Sequence, residues 1–163
     1  FNTDMQEIEI SEKDLVDVVN SMSGTMLTTN KDPQVLRTAG MKYTVHNDVE
    51  FAKSGNQNAL VDMQIGDKKV NVENPSQDKK YKVVVSSYLF NHDLTKDILG
   101  KYKESAKSVG NEQDFFTNYL NSHKDIDLKQ PTEKRANFTH EYATREELNA
   151  ARKEVIGADA KFI

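Results

Sequence analysis

Apolar and polar residues alternate most regularly over residues 61–90, and the predicted fold is organised around this stretch. Val61, Met63 and Ile65 occupy every second position, which is the period of a half-buried strand. Gly66-Asp67 follows as a tight turn, because glycine readily adopts the positive φ that such turns require. The pattern therefore predicts the first arm of a hairpin.

A second strand is predicted at the end of the same stretch, over Tyr81–Tyr88. β-Branched and aromatic residues dominate it, and Val83–Val85 is a continuous apolar run. Such a run is typical of an interior strand that is covered on both faces. We therefore expect this strand to be the spine of the sheet.

Shorter signals precede this stretch. Glu7–Ile10 alternates as a short strand, and Ser11 followed by Asp14 resembles a capping box, which predicts the start of a helix. A strand is expected over residues 36–45, with a bulge or a close backbone approach at Gly40. The polar residues that follow it, up to residue 58, predict a loop.

The period changes after residue 93. Four apolar residues spaced four apart predict an amphipathic helix that Thr95 or Asp93 caps. These apolar residues are Leu94, Ile98, Tyr102 and Ala106. The mixed order of strands and helices, without regular βαβ alternation, indicates an α+β fold.

Two further helices are predicted near the C-terminal end. Asn111 caps a helix whose apolar face is interpreted as core packing, and that face consists of Phe115, Phe116, Tyr119 and Leu120. An edge strand is expected over residues 136–139. Thr144 and Glu147 form a capping box that opens a helix with a narrow apolar stripe, which needs a partner surface to be stable.

Composition narrows the function classes. The chain has 163 residues, of which 36% are hydrophobic and 29% are charged, as in an ordinary globular protein. Its net charge is −4 and its lysines are scattered, which argues against a nucleic-acid polymer as the main partner. No apolar run is long enough to span a bilayer. Cysteine is absent, which excludes disulfides, thiolate metal sites and cysteine nucleophiles.

The chain opens at Phe1 rather than at a methionine, and its first residues do not form a basic-then-apolar signal segment. We therefore expect either a processed protein or a piece of a longer one.

Several segments follow, in order and spacing, a pattern that occurs in one enzyme family. The pattern consists of an F-L-Q-V-(G/S)-G segment, a glycine turn, a D-P-x-K-x-Y loop, a V-V-T-N-(D/F)-(F/Y)-L-A strand end and a closing helix. The matching segments are Val35–Val45, Gly66-Asp67, Ser76–Tyr81, Val83–Leu89 and Tyr119–Arg135. Over about residues 5–139 the chain resembles the C-terminal domain of the 5′-nucleotidase and UDP-sugar hydrolase family.

The resemblance implies that catalysis belongs elsewhere. In that family a separate N-terminal metallophosphoesterase domain carries two divalent metal ions, which clamp one phosphoryl group. This chain has four isolated histidines, and none lies in a motif of such a site; they are His46, His92, His123 and His140. We therefore expect no catalytic residue and no metal ligand in this chain, and no activity from it alone.

The resemblance also implies a substrate-recognition role. In the family two aromatic rings clamp the nucleobase, and a G-G-D segment adds polar contacts. Tyr88 matches one ring, whereas the other falls on Val35, and G-G-D falls on residues 92–94 with both glycines lost. Asn91 and Asp93 remain as polar contacts, and Arg37 lies where it would reach an anionic group.

Simpler interpretations of these residues stay open. Tyr88 is more readily explained as a partly buried residue at a strand end, with its hydroxyl in water. Arg37 is explained as a solvated surface charge. His92 and Asp93 are explained as caps of the helix that follows them.

Two functional hypotheses follow, and an unrelated α+β domain is a third possibility. The first is the substrate-recognition domain of a 5′-nucleotidase-like enzyme that hydrolyses nucleotides or related phosphate esters in a periplasmic, cell-surface or extracellular location. The second is a non-catalytic scaffold module that kept the fold and lost the clamp. In both, residues 1–139 form the family-like domain and residues 140–163 form a helical extension.

Overall fold

The computed structural model describes residues 3–24, 26–28, 34–122 and 133–157. The chain divides into two compact units, the first made of Phe1–Val18 and Ser76–Thr132, the second of Val19–Pro75 and Glu133–Ile163. Residues 123–132 of the segment matched to the family pattern, which include His123, lie outside the described residues.

A three-stranded antiparallel sheet forms the first unit. Its strands are β1 (Asp4–Ser11), β5 (Lys80–Ser86) and β6 (Lys107–Asn111), in the order β5-β1-β6. Helix α1 (Glu12–Ser23) follows β1, and the Ser11 hydroxyl accepts the Asp14 N–H at 3.1 Å, so Ser11 caps the helix as predicted. The buried apolar residues of this unit are Ile8, Ile10, Leu15, Val16, Val18, Phe90 and Leu99.

The predicted spine strand is an edge strand. β5 pairs only with β1 among the described strands, and β1 occupies the centre of the sheet. Val84 is consequently 52% exposed, although it sits in the middle of the continuous apolar run. The prediction was wrong because β-branched content reports that a residue suits a pleated strand, not where that strand lies in the sheet.

The long helix predicted from residue 94 is also wrong. Helix α3 (Ser87–Asn91) and helix α4 (Lys96–Leu99) are short, and a 3-10 turn over Gly100–Tyr102 ends this helical region. Gly100 weakens a helix interior, and the chain must be extended again by residue 107 to pair with β1. The four apolar residues spaced four apart therefore do not share one helix: Ile98 lies in α4 and Tyr102 in the 3-10 turn.

Two acidic residues of α1 are buried and hydrogen-bonded in the first unit. The Glu12 carboxylate accepts the Tyr81 hydroxyl at 2.8 Å and the Ser76 N–H at 3.1 Å. The Asp14 carboxylate accepts the Tyr102 hydroxyl and lies 2.8 Å from the Lys101 ammonium. No sequence pattern indicated these partners, because they come from β5, from the loop before it and from the turn after α4.

These contacts lower the pKa of both carboxyl groups. Burial acts to raise each pKa, but the hydrogen bonds and the neighbouring lysines Lys79 and Lys101 outweigh it. A lowered pKa in the folded state supplies stability that is present above the ordinary carboxyl pKa and is lost as the pH falls through the lowered value.

We expect the loss of folding stability caused by Tyr102→Phe to depend on pH. At pH 7 the substitution removes a hydrogen bond to a charged carboxylate, which is worth about 1.5–3 kcal/mol in the free energy of unfolding. Toward pH 3 the difference from wild type should shrink, because the stability that comes from the lowered pKa of Asp14 is lost as the pH falls. Urea unfolding at pH 7 and pH 3 measures this difference, with Tyr88→Phe, on a 56% exposed ring, as the control. An equal loss at both pH values would contradict the expected pH dependence.

The second unit contains a mixed four-stranded sheet. Its strands are β2 (Met41–Val45), β3 (Leu60–Ile65), β4 (Lys68–Lys69) and β7 (Ala136–Phe138), in the order β4-β3-β2-β7. β7 runs parallel to β2 at the edge, as predicted for an edge strand, and the other pairings are antiparallel. The predicted turn joins β3 to β4, with Gly66 at φ +59°.

Two predictions in this unit need correction. β2 begins at Met41 rather than at Leu36, because Gly40 adopts φ +75° and interrupts the extended chain. The predicted loop after β2 contains helix α2 (Val49–Lys53), capped by the Asp48 carboxylate, which accepts the Phe51 N–H at 2.8 Å. Five residues are too short a helix for hydrophobic periodicity to reveal.

Helix α6 (Arg145–Ile156) packs within the second unit. The Thr144 hydroxyl accepts the Glu147 N–H at 3.2 Å, which confirms the predicted helix start. Ala151 and Arg152 are buried, and Lys53 of α2 lies 2.5 Å from Glu154. The partner surface that the narrow stripe required is thus supplied by this unit.

The predicted α+β class is confirmed, with sheets and flanking helices in both units. Within the part of the chain that the structure describes, no helix has both the length and the apolar character needed to cross a bilayer.

Candidate functional site

Tyr88 lies on helix α3, not at the end of a strand. The Ser86 hydroxyl caps this helix by accepting the Tyr88 N–H at 3.2 Å, which places Tyr88 in the first turn. The side chain is 56% exposed, and its place on a helix corrects the interpretation of Tyr88 as a strand-end residue. Phe90 on the same helix is buried and anchors it to the first unit.

His92 lies beside Tyr88 where α3 ends. The two rings meet edge to face, with centroids 5.2 Å apart and an interplanar angle of 64°. The His92 Nδ1 accepts the Leu94 N–H at 3.1 Å, which fixes the orientation of the imidazole. An exposed tyrosine supported by an oriented imidazole presents an aromatic surface on which a planar ligand can stack.

Polar groups surround these rings. Asn91 and Asp93 are exposed, and the Asp93 carboxylate accepts a hydrogen bond from the Lys96 ammonium at 3.0 Å. The same carboxylate raises the pKa of Lys96. Tyr88, Asn91, His92, Asp93 and Lys96 therefore combine an aromatic surface with amide, carboxylate and ammonium groups in one short segment of the first unit.

Thr95 has a different role from the predicted cap. It stands at the N-terminal end of α4 but makes no side-chain cap hydrogen bond. Its buried hydroxyl donates to the Leu89 carbonyl at 2.6 Å, and so holds the end of α3 to the start of α4. Thr95 was missed as an anchor of this segment because its acceptor lies six residues earlier in the chain.

Val35 and Arg37 belong to the second unit and are both exposed. The residue between them, Leu36, is held on its backbone: its N–H donates to the Ser23 hydroxyl at 3.2 Å, and its carbonyl accepts the Tyr43 hydroxyl at 2.6 Å. The alternation of an extended chain then directs the flanking side chains away from this anchor. Sequence reasoning found the exposed pair but missed the anchor.

A second polar cluster in the same unit surrounds buried Asn47. Its side-chain amide donates to the His140 carbonyl at 2.7 Å and accepts the His140 N–H at 2.8 Å. The Asn47 carbonyl accepts the Tyr142 hydroxyl at 2.8 Å. These bonds tie residues 140–142 to the end of β2, which gives the cluster a structural role.

In the described part of the chain the histidines do not cluster with other residues to form a metal site. His46 stacks on Phe51 with a centroid distance of 4.4 Å, and its Nδ1 lies 3.4 Å from the Asp48 carboxylate. No three His, Asp or Glu side chains among the described residues are placed to hold one ion. The predicted catalytic inactivity of this chain alone stays a prediction.

The fold is shared with two solved nucleotidases. A 5′-nucleotidase precursor from Thermus thermophilus matches with a TM-score of 0.61 and 16% identity over 86% of this chain. The NAD nucleotidase from Haemophilus influenzae matches with a TM-score of 0.60 and 14% identity, also over 86% of this chain. The chain has the fold of a 5′-nucleotidase C-terminal domain.

This likeness confirms, at the level of fold, the family resemblance predicted from the sequence. The chain spans 26% and 25% of the lengths of the two nucleotidases. No family model matches the sequence, and no curated protein is similar to it. The low identity means that the shared fold carries no assignment of ligand or reaction.

Proposed function

We propose that this chain is the substrate-recognition domain of a 5′-nucleotidase-like metallophosphoesterase that acts on nucleotides or related phosphate esters. The observation that carries the proposal is Tyr88, whose ring is exposed at the start of α3 in a domain with the nucleotidase fold. An exposed, oriented aromatic ring is a feature that folding alone does not require, since burial would stabilise the domain more.

Each site residue has a proposed role. Tyr88 stacks on a nucleobase, while the neighbouring Asn91 and Asp93 offer hydrogen bonds to its polar edge. Arg37 and Val35 belong to the second unit, and their roles as a partner for an anionic group and as an apolar contact stay predictions from the family resemblance. A single stacked ring contributes ~1–3 kcal/mol, and a dissociation constant of 1 mM corresponds to about 4.1 kcal/mol, so the ring and its polar neighbours together should give an affinity of about millimolar or weaker for a nucleoside.

The proposal includes a larger enzyme. Residues 1–139 would form the recognition domain and residues 140–163 a helical extension. Hydrolysis would belong to an N-terminal metallophosphoesterase domain with divalent metal ions, in an extracellular, periplasmic or cell-surface location. This domain then contributes substrate positioning and no reacting group.

A scaffold role is the second candidate function. It is favoured by the substitutions in the clamp, since Val35 has no ring and His92 stands where the family pattern has glycine. A module that lost its ligand would keep the fold and the exposed segment but would show no affinity for nucleosides.

We expect Tyr88→Ala to weaken nucleoside binding by this chain. Adenosine, uridine and AMP titrated into the wild type should shift the amide resonances of residues 86–95, and the variant should bind at least ~5-fold more weakly because one stacking surface is lost. Backbone NMR measures both.

The matched control is Tyr119→Ala, which removes a tyrosine of nearly equal exposure, 55%, from helix α5 (Glu112–Ser122). It should bind nucleosides as wild type does. Absence of any shift in wild type at millimolar ligand would refute nucleoside recognition by this chain and favour the scaffold role.

A further inference from the structure

Helix α5 presents an apolar face to solvent in the first unit. The Asn111 side chain caps the helix by accepting the Asp114 N–H at 2.9 Å, as predicted, but no described residue of the helix is buried. The interpretation of its aromatic residues as core packing is therefore wrong. The exposed fractions are 48% for Phe115, 64% for Phe116, 55% for Tyr119, 41% for Leu120 and 38% for Val109 of the adjoining strand β6.

We call these five residues the α5 face. Aromatic side chains offer about 150–250 Å² each, so the exposed apolar area of the face is roughly 450 Å². A patch of this size lies within the range of the largest apolar patches on monomeric proteins, which often mark interaction sites. Phe115 rests against Gly110, 3.4 Å from the position of a Cβ there, so the N-terminal part of the face lies against strand β6.

The area fits a dimer interface. A stable interface buries about 800 Å² on each partner, and homodimer interfaces are about 65% apolar. The roughly 450 Å² of the α5 face would then supply most of the apolar part of one standard interface. Exposed polar residues of β6 and α5 around the face would form the polar rim of the interface.

The charges on α5 favour a second copy in antiparallel orientation. Its only charged residues are Glu112 and Asp114, both in the first turn, and residues 115–122 carry no charge. An uncharged centre is typical of interface cores. In an antiparallel pair the acidic turns of the two copies lie at opposite ends, about 15 Å apart at 1.5 Å per residue, so they do not repel at contact.

We propose that this chain associates with a second copy of itself through antiparallel packing of the two α5 faces. The contact is isologous, because the same residues meet on both copies and the pair closes without leaving a free face. Phe116, as the most exposed aromatic residue, lies at the centre of the contact. This inference does not depend on ligand recognition at Tyr88.

The test is sedimentation equilibrium of the whole chain over a range of concentrations. Wild type should pass from monomer to dimer in the micromolar range, and Phe116→Asp should raise the dimer dissociation constant at least ~100-fold, because a carboxylate would be desolvated in the contact. Val84→Asp, at a 52% exposed position on β5, should leave the dissociation constant unchanged.

A second measurement holds even if an aspartate variant folds poorly. The chain has no cysteine, so a single cysteine at Asn118, an exposed position of α5, should form an intermolecular disulfide under mild oxidation. The Val84→Cys variant should not. A wild-type chain that stays monomeric up to millimolar concentration, or equal crosslinking of both variants, would overturn the proposal.

Discussion

Replacing Arg152 with alanine is expected to lower the free energy of unfolding by about 3–4 kcal/mol, the size of effect typical of large buried side chains truncated to alanine. Arg152 is 1% exposed, and its guanidinium donates to the Met26 carbonyl at 2.6 Å. The variant would leave a cavity beside α6 and a carbonyl without this donor, and each of these losses destabilises the folded state. Urea unfolding followed by circular dichroism measures the change.

Arg145 provides the matched control on the same helix. It is exposed in the first turn of α6, so Arg145→Ala should change the free energy of unfolding by less than about 0.5 kcal/mol. Hydrogen exchange adds a local readout, since Arg152→Ala should lose protection over α6 first. Equal and small effects of the two variants would contradict the buried position of Arg152.

Tyr43→Ala is expected to cost about 3–5 kcal/mol in the free energy of unfolding, which is typical of a buried aromatic residue cut back to alanine. The ring is fully buried in the second unit, where it faces Met63 across the β2–β3 pair. Its hydroxyl forms hydrogen bonds with the buried Ser23 hydroxyl at 2.8 Å and with the Leu36 carbonyl at 2.6 Å. Burial raises the pKa of this phenol.

The Tyr43→Phe variant separates packing from hydrogen bonding. It keeps the ring and removes only the hydroxyl, so a smaller loss of about 1–3 kcal/mol is expected. Because the Leu36 carbonyl loses its donor, hydrogen exchange should accelerate over residues 34–38, which carry Val35 and Arg37. If Tyr43→Phe cost as much as Tyr43→Ala, the packing part of this account would be wrong.

Local signals in the sequence predicted much of the helical structure. Ser11, Asn111 and Thr144 all cap helices, because a cap depends only on the next few residues. The hairpin turn at Gly66 was found for the same reason. The fold class followed from the order of these elements.

Long-range partners decided the features that the sequence did not reveal. β5 lies at an edge because β1 takes the centre, and the Leu94 helix stops early because Lys107–Asn111 must pair with β1. The apolar stripe of α5 was found correctly, but periodicity reports a stripe and not what covers it. In each case the missing information was the identity of a neighbour distant in sequence.

The candidate site was predictable only in part. The family resemblance pointed to Tyr88, but its position on a helix and its contact with His92 depend on where β5 ends. The Ser23–Tyr43–Leu36 network could not be predicted, because hydroxyl groups carry no periodic signal and their partners are 7–20 residues apart.

The most direct test of the recognition proposal is a measurement of intermolecular NOEs between adenosine and this chain at millimolar concentration. We predict NOEs between the Tyr88 ring protons and the protons of the adenine base. In Tyr88→Ala these NOEs should be absent. If saturating adenosine gave no NOE to Tyr88, or gave NOEs only to other aromatic residues, nucleobase stacking on Tyr88 would be contradicted.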